Sequence, residues 1–153
     1  MAWAIAGVML CGLTAQAGEW ETDFAKASAA AKAGQKYMLL DFSGSDWCIW
    51  CIRLEKEVFS TKDFQQYAAK NLVCVLLDFP HAKTLSAELK QQNADLAEKY
   101  QIKGYPTVIL LNPDGKLVGE TGYQEGGGKK YVEHLQGIID TYQKKSATAA
   151  KSN

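Results

Sequence analysis

A three-layer α/β sandwich, with a mixed central sheet flanked by helices, is the architecture this sequence predicts. Three observations carry that expectation. Short apolar runs recur at 37–42, 72–79 and 107–111, each the length of a strand buried on both faces. Between them lie segments with apolar residues three and four apart, the period of a helix. Finally, Asn112-Pro113-Asp114-Gly115 parts the last run from the alternating Lys116-Leu117-Val118-Gly119-Glu120, as a tight turn parts the strands of a hairpin. Strands joined through a helix run parallel with a right-handed crossover, and strands joined by a tight turn run antiparallel. The sheet is therefore mixed.

The elements follow in order. Trp20, Phe24, Ala27 and Ala31 are spaced for a helix over 19–35, with Gly34 as its stop. The strand at 37–42 ends in the loop Ser43-Gly44-Ser45-Asp46. A helix beginning near Cys48 carries Cys51, Leu54, Val58 and Phe59 on one side. Ser60 offers an N-cap for a further helix over 61–70, with Phe64 and Tyr67 inward. The second strand, 72–79, is ended by Pro80 and His81. Residues 85–100 form a polar amphipathic helix or pair of helices marked by Leu85, Leu89, Leu96 and Tyr100. After the hairpin, Gly126-Gly127-Gly128 reads as a hinge. Tyr131, Leu135, Ile138, Ile139 and Tyr142 mark a last helix, and 146–153 reads as a flexible tail.

The chain's 153 residues suit one domain, and 47% hydrophobic with 22% charged residues is ordinary for a packed core. Seventeen basic residues balance seventeen acidic ones, so no basic field draws in nucleic acid or an anionic membrane. Residues 1–17 read as a secretory signal peptide: 2–13 is almost wholly apolar, and Thr14-Ala15-Gln16-Ala17 follows a small-x-small cleavage pattern. The run is shorter than the roughly 20 residues a membrane span needs, so no stable membrane insertion is expected after cleavage. No lysine or arginine precedes it, and an apolar N-terminus on a cytosolic protein is the plainer alternative. Leu10 before Cys11 does not match the small residue of a lipoprotein signal. The domain then spans 18–145, and a periplasmic or secreted location follows.

Without the signal, Cys48, Cys51 and Cys74 remain, an odd count that suits one reactive pair better than a disulfide framework. Cys48 stands at a helix start, where free backbone N–H groups and the helix dipole favour thiolate over thiol. Cys51 lies about one turn on, near enough to close a small disulfide. The rival readings are half of a zinc site and an inert disulfide. Zinc would need further ligands from Cys74, His81 and His134, which fall in separate segments. No metal is expected. Cys74 reads as a small buried hydrophobe, the two histidines as surface residues, and Trp47 either as packing or as part of a contact surface with Trp50. Gly126–Gly128 lacks the lysine-serine/threonine ending of a phosphate loop.

With Asp41-Phe42 before Trp47-Cys48-Ile49-Trp50-Cys51, and Gly104-Tyr105-Pro106-Thr107 before the third strand, the chain resembles the thioredoxin superfamily. It is most similar to exported bacterial thioredoxin-like proteins, including the C-terminal domain of the thiol:disulfide interchange reductase. Leu54-Glu55-Lys56-Glu57-Val58-Phe59 adds to the likeness, which covers most of the chain after the signal. The resemblance implies a thioredoxin-like sandwich and a thiol:disulfide oxidoreductase without a bound cofactor. Cys48 would be the nucleophile and the more exposed thiol, Cys51 the resolving thiol, and Asp41 a buried acid serving Cys51. Pro106 would be a cis-proline packed against the motif. Trp47, Trp50, Tyr105 and Pro106 would meet substrate. The implied partners are proteins with disulfides or thiols and an upstream redox partner.

Three features depart from the family pattern. The loop 43–46 is one residue longer than the usual spacer, which leaves open whether Asp41 reaches Cys51. Ile49-Trp50 replaces Gly-Pro, which leaves open the direction of electron flow. The segment 85–100 is longer than its counterpart. A reductase of exported proteins is the leading reading, with a disulfide-forming oxidase or isomerase, or a non-catalytic binding module or chaperone, as alternatives.

Overall fold

The computed structural model describes residues 20–151. The signal-peptide reading of 1–17, Cys11 and the last two residues lie outside them. Helix α1 (Phe24–Gly34) leads into strand β1 (Tyr37–Ser43). Helix α2 (Ile49–Leu54) continues as a single π-helical turn, Glu55–Phe59, before helix α3 (Lys62–Asn71) and strand β2 (Leu72–Asp78). Helix α4 (Ala87–Lys99), the hairpin β3 (Thr107–Leu111) and β4 (Leu117–Thr121), and helix α5 (Gly127–Lys151) complete the chain. The sheet order is β2-β1-β3-β4, with β1 parallel to β2 and antiparallel to β3, and β3 antiparallel to β4. The expected mixed sheet is present.

Period-two alternation sorts the strand residues onto two apolar layers. Leu39, Leu72, Val108 and Leu110 meet Leu54, Val58 and Phe59 after the cysteine motif, Phe64 of α3, and Tyr131, Leu135 and Ile139 of α5. Met38, Leu40, Phe42, Val75, Leu77, Ile109 and Leu111 face the other way, against Ala27 and Ala31 of α1 and Leu96 of α4. The three layers are thus α2, α3 and α5, the sheet, and α1 with α4. β1 is buried on both faces, which is why residues 37–42 are apolar except for Asp41.

Four local expectations need correction. The helix expected from residue 19 starts at Phe24, capped by Asp23, whose side chain accepts from the Lys26 N–H at 3.0 Å. Trp20 and Phe24 do not share a helical face: Trp20 packs into the first layer against Phe59, Phe24 into the second. Glu21 between them bridges to β2, its N–H donating to the Cys74 carbonyl and its carbonyl accepting from Leu76. That pairing covers part of the open edge of β2. The second correction is at α3, which is capped by Thr61 rather than Ser60.

Third, Gly126-Gly127-Gly128 is no hinge. Gly126 and Gly127 take positive φ (113° and 76°), and α5 begins at Gly127. Gly128 is buried, and a Cβ there would lie 3.0 Å from Thr61 Cβ and 3.3 Å from the Val58 carbonyl oxygen. Fourth, α5 continues to Lys151, through the stretch expected as a tail from Ser146.

Candidate redox site

The site forms at the C-terminal edge of the sheet, where β1 and β2 end side by side. Ser43 pairs with Asp78 there, and Asp41 with Leu76. The chain leaving β1 turns tightly over Gly44, whose carbonyl accepts from the Trp47 and Cys48 N–H groups at 3.2 and 2.8 Å. Only glycine suits that corner: a Cβ would lie 2.6 Å from Trp47 Cζ2. Cys48 then stands at the N-cap of α2 with extended backbone (φ −86°, ψ 107°), its sulfur accepting from the Cys51 N–H at 3.3 Å. Cys48 and Cys51 are joined in a disulfide with their Cα atoms 5.2 Å apart.

Cys48 is the more exposed of the two by a small margin, 7% against 4%. Cys51 Sγ accepts a long hydrogen bond from the Gly44 N–H at 3.5 Å. Around this nearly buried bond the surface is apolar. Trp47, Ile49, Trp50 and Ile52, between 42% and 63% exposed, are four of the five exposed large hydrophobic side chains among the described residues.

The aromatic residues close a ring around the motif. Trp47 stacks flat on His81 (4.6 Å, 7°), donates its indole N–H to the Phe79 carbonyl at 2.8 Å, and meets Tyr105 edge-on at 5.8 Å. The Tyr105–Pro106 peptide bond is cis, and the Pro106 carbonyl lies against Gly122. Next to Gly122, Tyr123 packs on Trp50 at 5.3 Å. The Arg53 guanidinium sits 4.9 Å from the Trp50 ring and 5.0 Å from the Tyr123 ring, a double cation–π contact. Glu57 pairs with Arg53 at 2.8 Å and accepts a short hydrogen bond from the Tyr123 hydroxyl. These contacts hold the Arg53 side chain charged and lower the proton affinity of Glu57. Trp47 and Trp50 thus both stand in the ring, on opposite sides of Cys48 in sequence.

Asp41 lies on the same side of β1 as Leu39, facing the layer that contains α2. It is buried, its Oδ1 has no hydrogen-bond partner, and its proton affinity is pushed up to about 8. Burial is the main cause, since a desolvated carboxylate prefers its neutral form, and the Glu55 and Asp78 carboxylates add to it. The donor to Cys51 is Gly44, and no hydrogen bond joins Asp41 to that sulfur in the disulfide state.

Cys74, half-buried on β2, is a free thiol packed against the first apolar layer, its proton affinity raised by burial to about 12. His81 lies on the surface under Trp47, and His134 shares a hydrogen bond with Thr121. No group of His, Cys, Asp and Glu among the described residues is arranged to hold a metal ion.

Several site residues were not foreseen. Asp78 accepts from both the N–H and the hydroxyl of Ser45 at 2.9 and 2.6 Å, and Asp46 accepts from the His81 and Ala82 N–H groups at 2.9 and 2.7 Å. Those backbone donors keep Asp46 more acidic than usual. One signal was available: Leu77-Asp78-Phe79 echoes Leu40-Asp41-Phe42, so each of the two parallel strands carries an acid near its C-terminal end, Asp41 two residues before the last of β1 and Asp78 the last of β2. Arg53, Glu57 and Tyr123 gave no such signal, because Tyr123 comes from beyond β4.

Comparison with known proteins agrees with this geometry. A family model described as a thioredoxin-like domain matches residues 24–135. The disulfide bond reductase DsbH of Chlamydia pneumoniae is 31% identical over 121 residues, covering 79% of this chain and 72% of that protein. The thiol:disulfide interchange protein DsbD 2 of Pseudomonas aeruginosa is 33% identical over 117 residues, but the match spans only 17% of its length. A solved structure titled DsbH oxidoreductase superposes with a TM-score of 0.77 at 28% identity, covering 92% of this chain and 95% of that one. Sheet order, helix layers, the Cys48–Cys51 disulfide and these relatives all lead to one assignment: the chain belongs to the thioredoxin-like domain family.

Proposed function

We propose that this chain is a thiol:disulfide oxidoreductase that reduces disulfides of exported proteins. The observation that carries the reading is a closed two-residue-spaced disulfide lying nearly buried at the centre of an exposed apolar and aromatic patch. Such a bond is set where a protein surface can dock on it. In the reduced protein the Cys48 thiolate attacks one sulfur of a substrate disulfide and forms a mixed disulfide, and the other substrate sulfur leaves as a thiol. Cys51 then attacks Cys48 Sγ, the internal disulfide closes, and the reduced substrate departs. Asp41, its proton affinity pushed up to about 8, accepts the Cys51 proton in its carboxylate form as that thiol becomes the attacking thiolate, and releases it to solvent afterwards.

Trp47, Trp50, Tyr105 and Pro106 supply the surface for an extended substrate segment. Two electrons per cycle must be returned by an upstream redox partner, and no cofactor is called for. Residues 1–17 act as an export signal ahead of a domain at 18–145, and the reaction takes place in the periplasm or beyond. No helix among the described residues is long and apolar enough to cross a membrane. The name of one matched relative, a disulfide bond reductase, supports the direction.

Insulin reduction tests the mechanism. Cys48→Ser should abolish it, and undiminished turnover in that variant would sink the assignment. Cys51→Ser should accumulate mixed disulfides with partners, seen on non-reducing gels. The Ile49-Trp50 pair favours weighing the opposite direction as well. Equilibration with glutathione decides: a potential near about −270 mV supports reduction, one near about −120 mV supports a disulfide-forming oxidase. Binding of partners by a variant lacking both cysteines would point to a chaperone-like module. Mass analysis of the exported protein should show removal of residues 1–17.

A further inference from the structure

We propose that Ser45, Asp46 and Asp78 form a clasp that presents the Gly44 N–H to Cys51 Sγ, making them positioning residues for the resolving step. The proposal rests on the reading of Cys51 as the resolving thiol. The loop from Ser43 to Asp46 is longer by one residue than its family counterpart, and extra length alone would loosen the turn. Instead, two loops grip each other reciprocally. Asp78, at the end of β2, takes the N–H and hydroxyl of Ser45 (2.9 and 2.6 Å), while Asp46 takes the His81 and Ala82 N–H groups (2.9 and 2.7 Å). The Asn93 side chain of α4 donates to the Asp78 carbonyl at 2.9 Å, tying the clasp to the far helical layer.

The peptide unit between Ser43 and Gly44 lies inside this grip. Its carbonyl accepts from the Phe79 N–H at 2.8 Å, and across a trans peptide the N–H points the opposite way. That N–H is the one directed at Cys51 Sγ, at 3.5 Å. A donor on a sulfur favours its thiolate, the form that attacks in the resolving step. Cys51 otherwise lies buried, where a thiol resists ionisation. The clasp therefore offsets the burial of the resolving thiol by fixing one backbone donor on Cys51 Sγ, whereas the donor to the Cys48 sulfur is the Cys51 N–H, from the first turn of α2.

An aromatic disulfide, 5,5′-dithiobis(2-nitrobenzoate), separates the two thiols in one stopped-flow trace. The Cys48 thiolate breaks its S–S bond, forms Cys48–S–S–aryl and releases one aryl thiolate. The Cys51 thiolate then attacks Cys48 Sγ, closes the protein disulfide and releases the second. Parent and variants carry Cys11→Ser and Cys74→Ala so that only the motif reacts. Combined Ser45→Ala and Asp46→Ala should slow the second release by about tenfold, the scale of one hydrogen bond to a charged group, with the first release within about twofold. Asp46→Asn with Ser45 intact, which keeps a carbonyl acceptor, should recover most of the second-phase rate. An unchanged second phase, or both phases slowing together, overturns the proposal. Release of a single equivalent by the parent would instead remove Cys51 as resolving thiol, a separate failure read in the same trace.

Discussion

At Asp41, a carboxyl group without a partner on Oδ1 lies between an apolar layer and two other acids. Its proton affinity, near 3.8 when exposed, is pushed up to about 8 in the fold. Between those values the folded chain holds a proton that the unfolded chain has released, so stability falls as pH rises. The contribution is intact below the unfolded value and lost once the pH passes about 8. Asp41→Asn should accordingly leave stability nearly unchanged at about pH 4 and raise it by on the order of 2–4 kcal/mol at about pH 9. Denaturant unfolding of the oxidised protein at both pH values checks this, and an equal change at both would mean that Asp41 ionises freely. Sequence resemblance pointed to this acid, but its unsatisfied oxygen and the Glu55 and Asp78 carboxylates acting on it required side chains brought together from two strands and a helix.

Among the elements, the stretch from α2 through the π-helical turn is where propensity and packing disagree. A regular helix places successive residues 100° apart, yet Val58 and Phe59 are both buried, along with Leu54. The wider turn at Glu55–Phe59 lets both neighbours face the core. Phe59 touches Trp20, Phe64 and Tyr131, so Phe59→Ala should cost about 3–5 kcal/mol in urea unfolding, the range for truncating a packed aromatic. A cost near zero would show that the cluster collapses into the gap.

Gly128 makes the reverse case, where a small residue is required. Gly128→Ala forces a methyl against Thr61 and the Val58 carbonyl, and should destabilise by about 1–3 kcal/mol, whereas Ala in a mobile hinge would cost nothing. Three glycines in a row read as flexible because sequence reports backbone freedom. Close approach of α5 to the start of α3 is invisible to it.

For the whole molecule, balanced charge and an apolar patch at the disulfide set the character of its encounters. With no net field to steer a partner, raising ionic strength from about 0.05 to about 0.5 M should change kcat/KM for a protein disulfide by no more than about twofold. A steep fall with salt would mean that a local charge guides docking, either Arg53 or Lys83, whose ammonium donates to the Ser45 hydroxyl at 3.4 Å. Trp50→Ala or Trp47→Ala should raise KM severalfold with little change in single-turnover chemistry at Cys48, because each removes exposed aromatic surface from the ring and leaves the disulfide in place. Steady-state insulin reduction against the stopped-flow first phase separates the two effects.

Strand count, the hairpin, the cysteine pair and the two-layer core were legible in the sequence because each rests on local chemistry: apolar runs, turn residues, and thiols at a helix start. Tertiary structure alone decided the rest. It split Trp20 from Phe24 onto opposite faces of the sheet, and joined Ser45 to Asp78 and Asp46 to the turn after β2. It also set Arg53 between Trp50 and Tyr123. Apart from Trp20 with Phe24 and Trp50 with Arg53, these contacts pair residues from separate segments. The physical reason is that hydrogen bonds and ring contacts act over a few ångströms in space, while sequence records neighbours along the chain. The reactive pair is local, and the loops and rings packed around it are not.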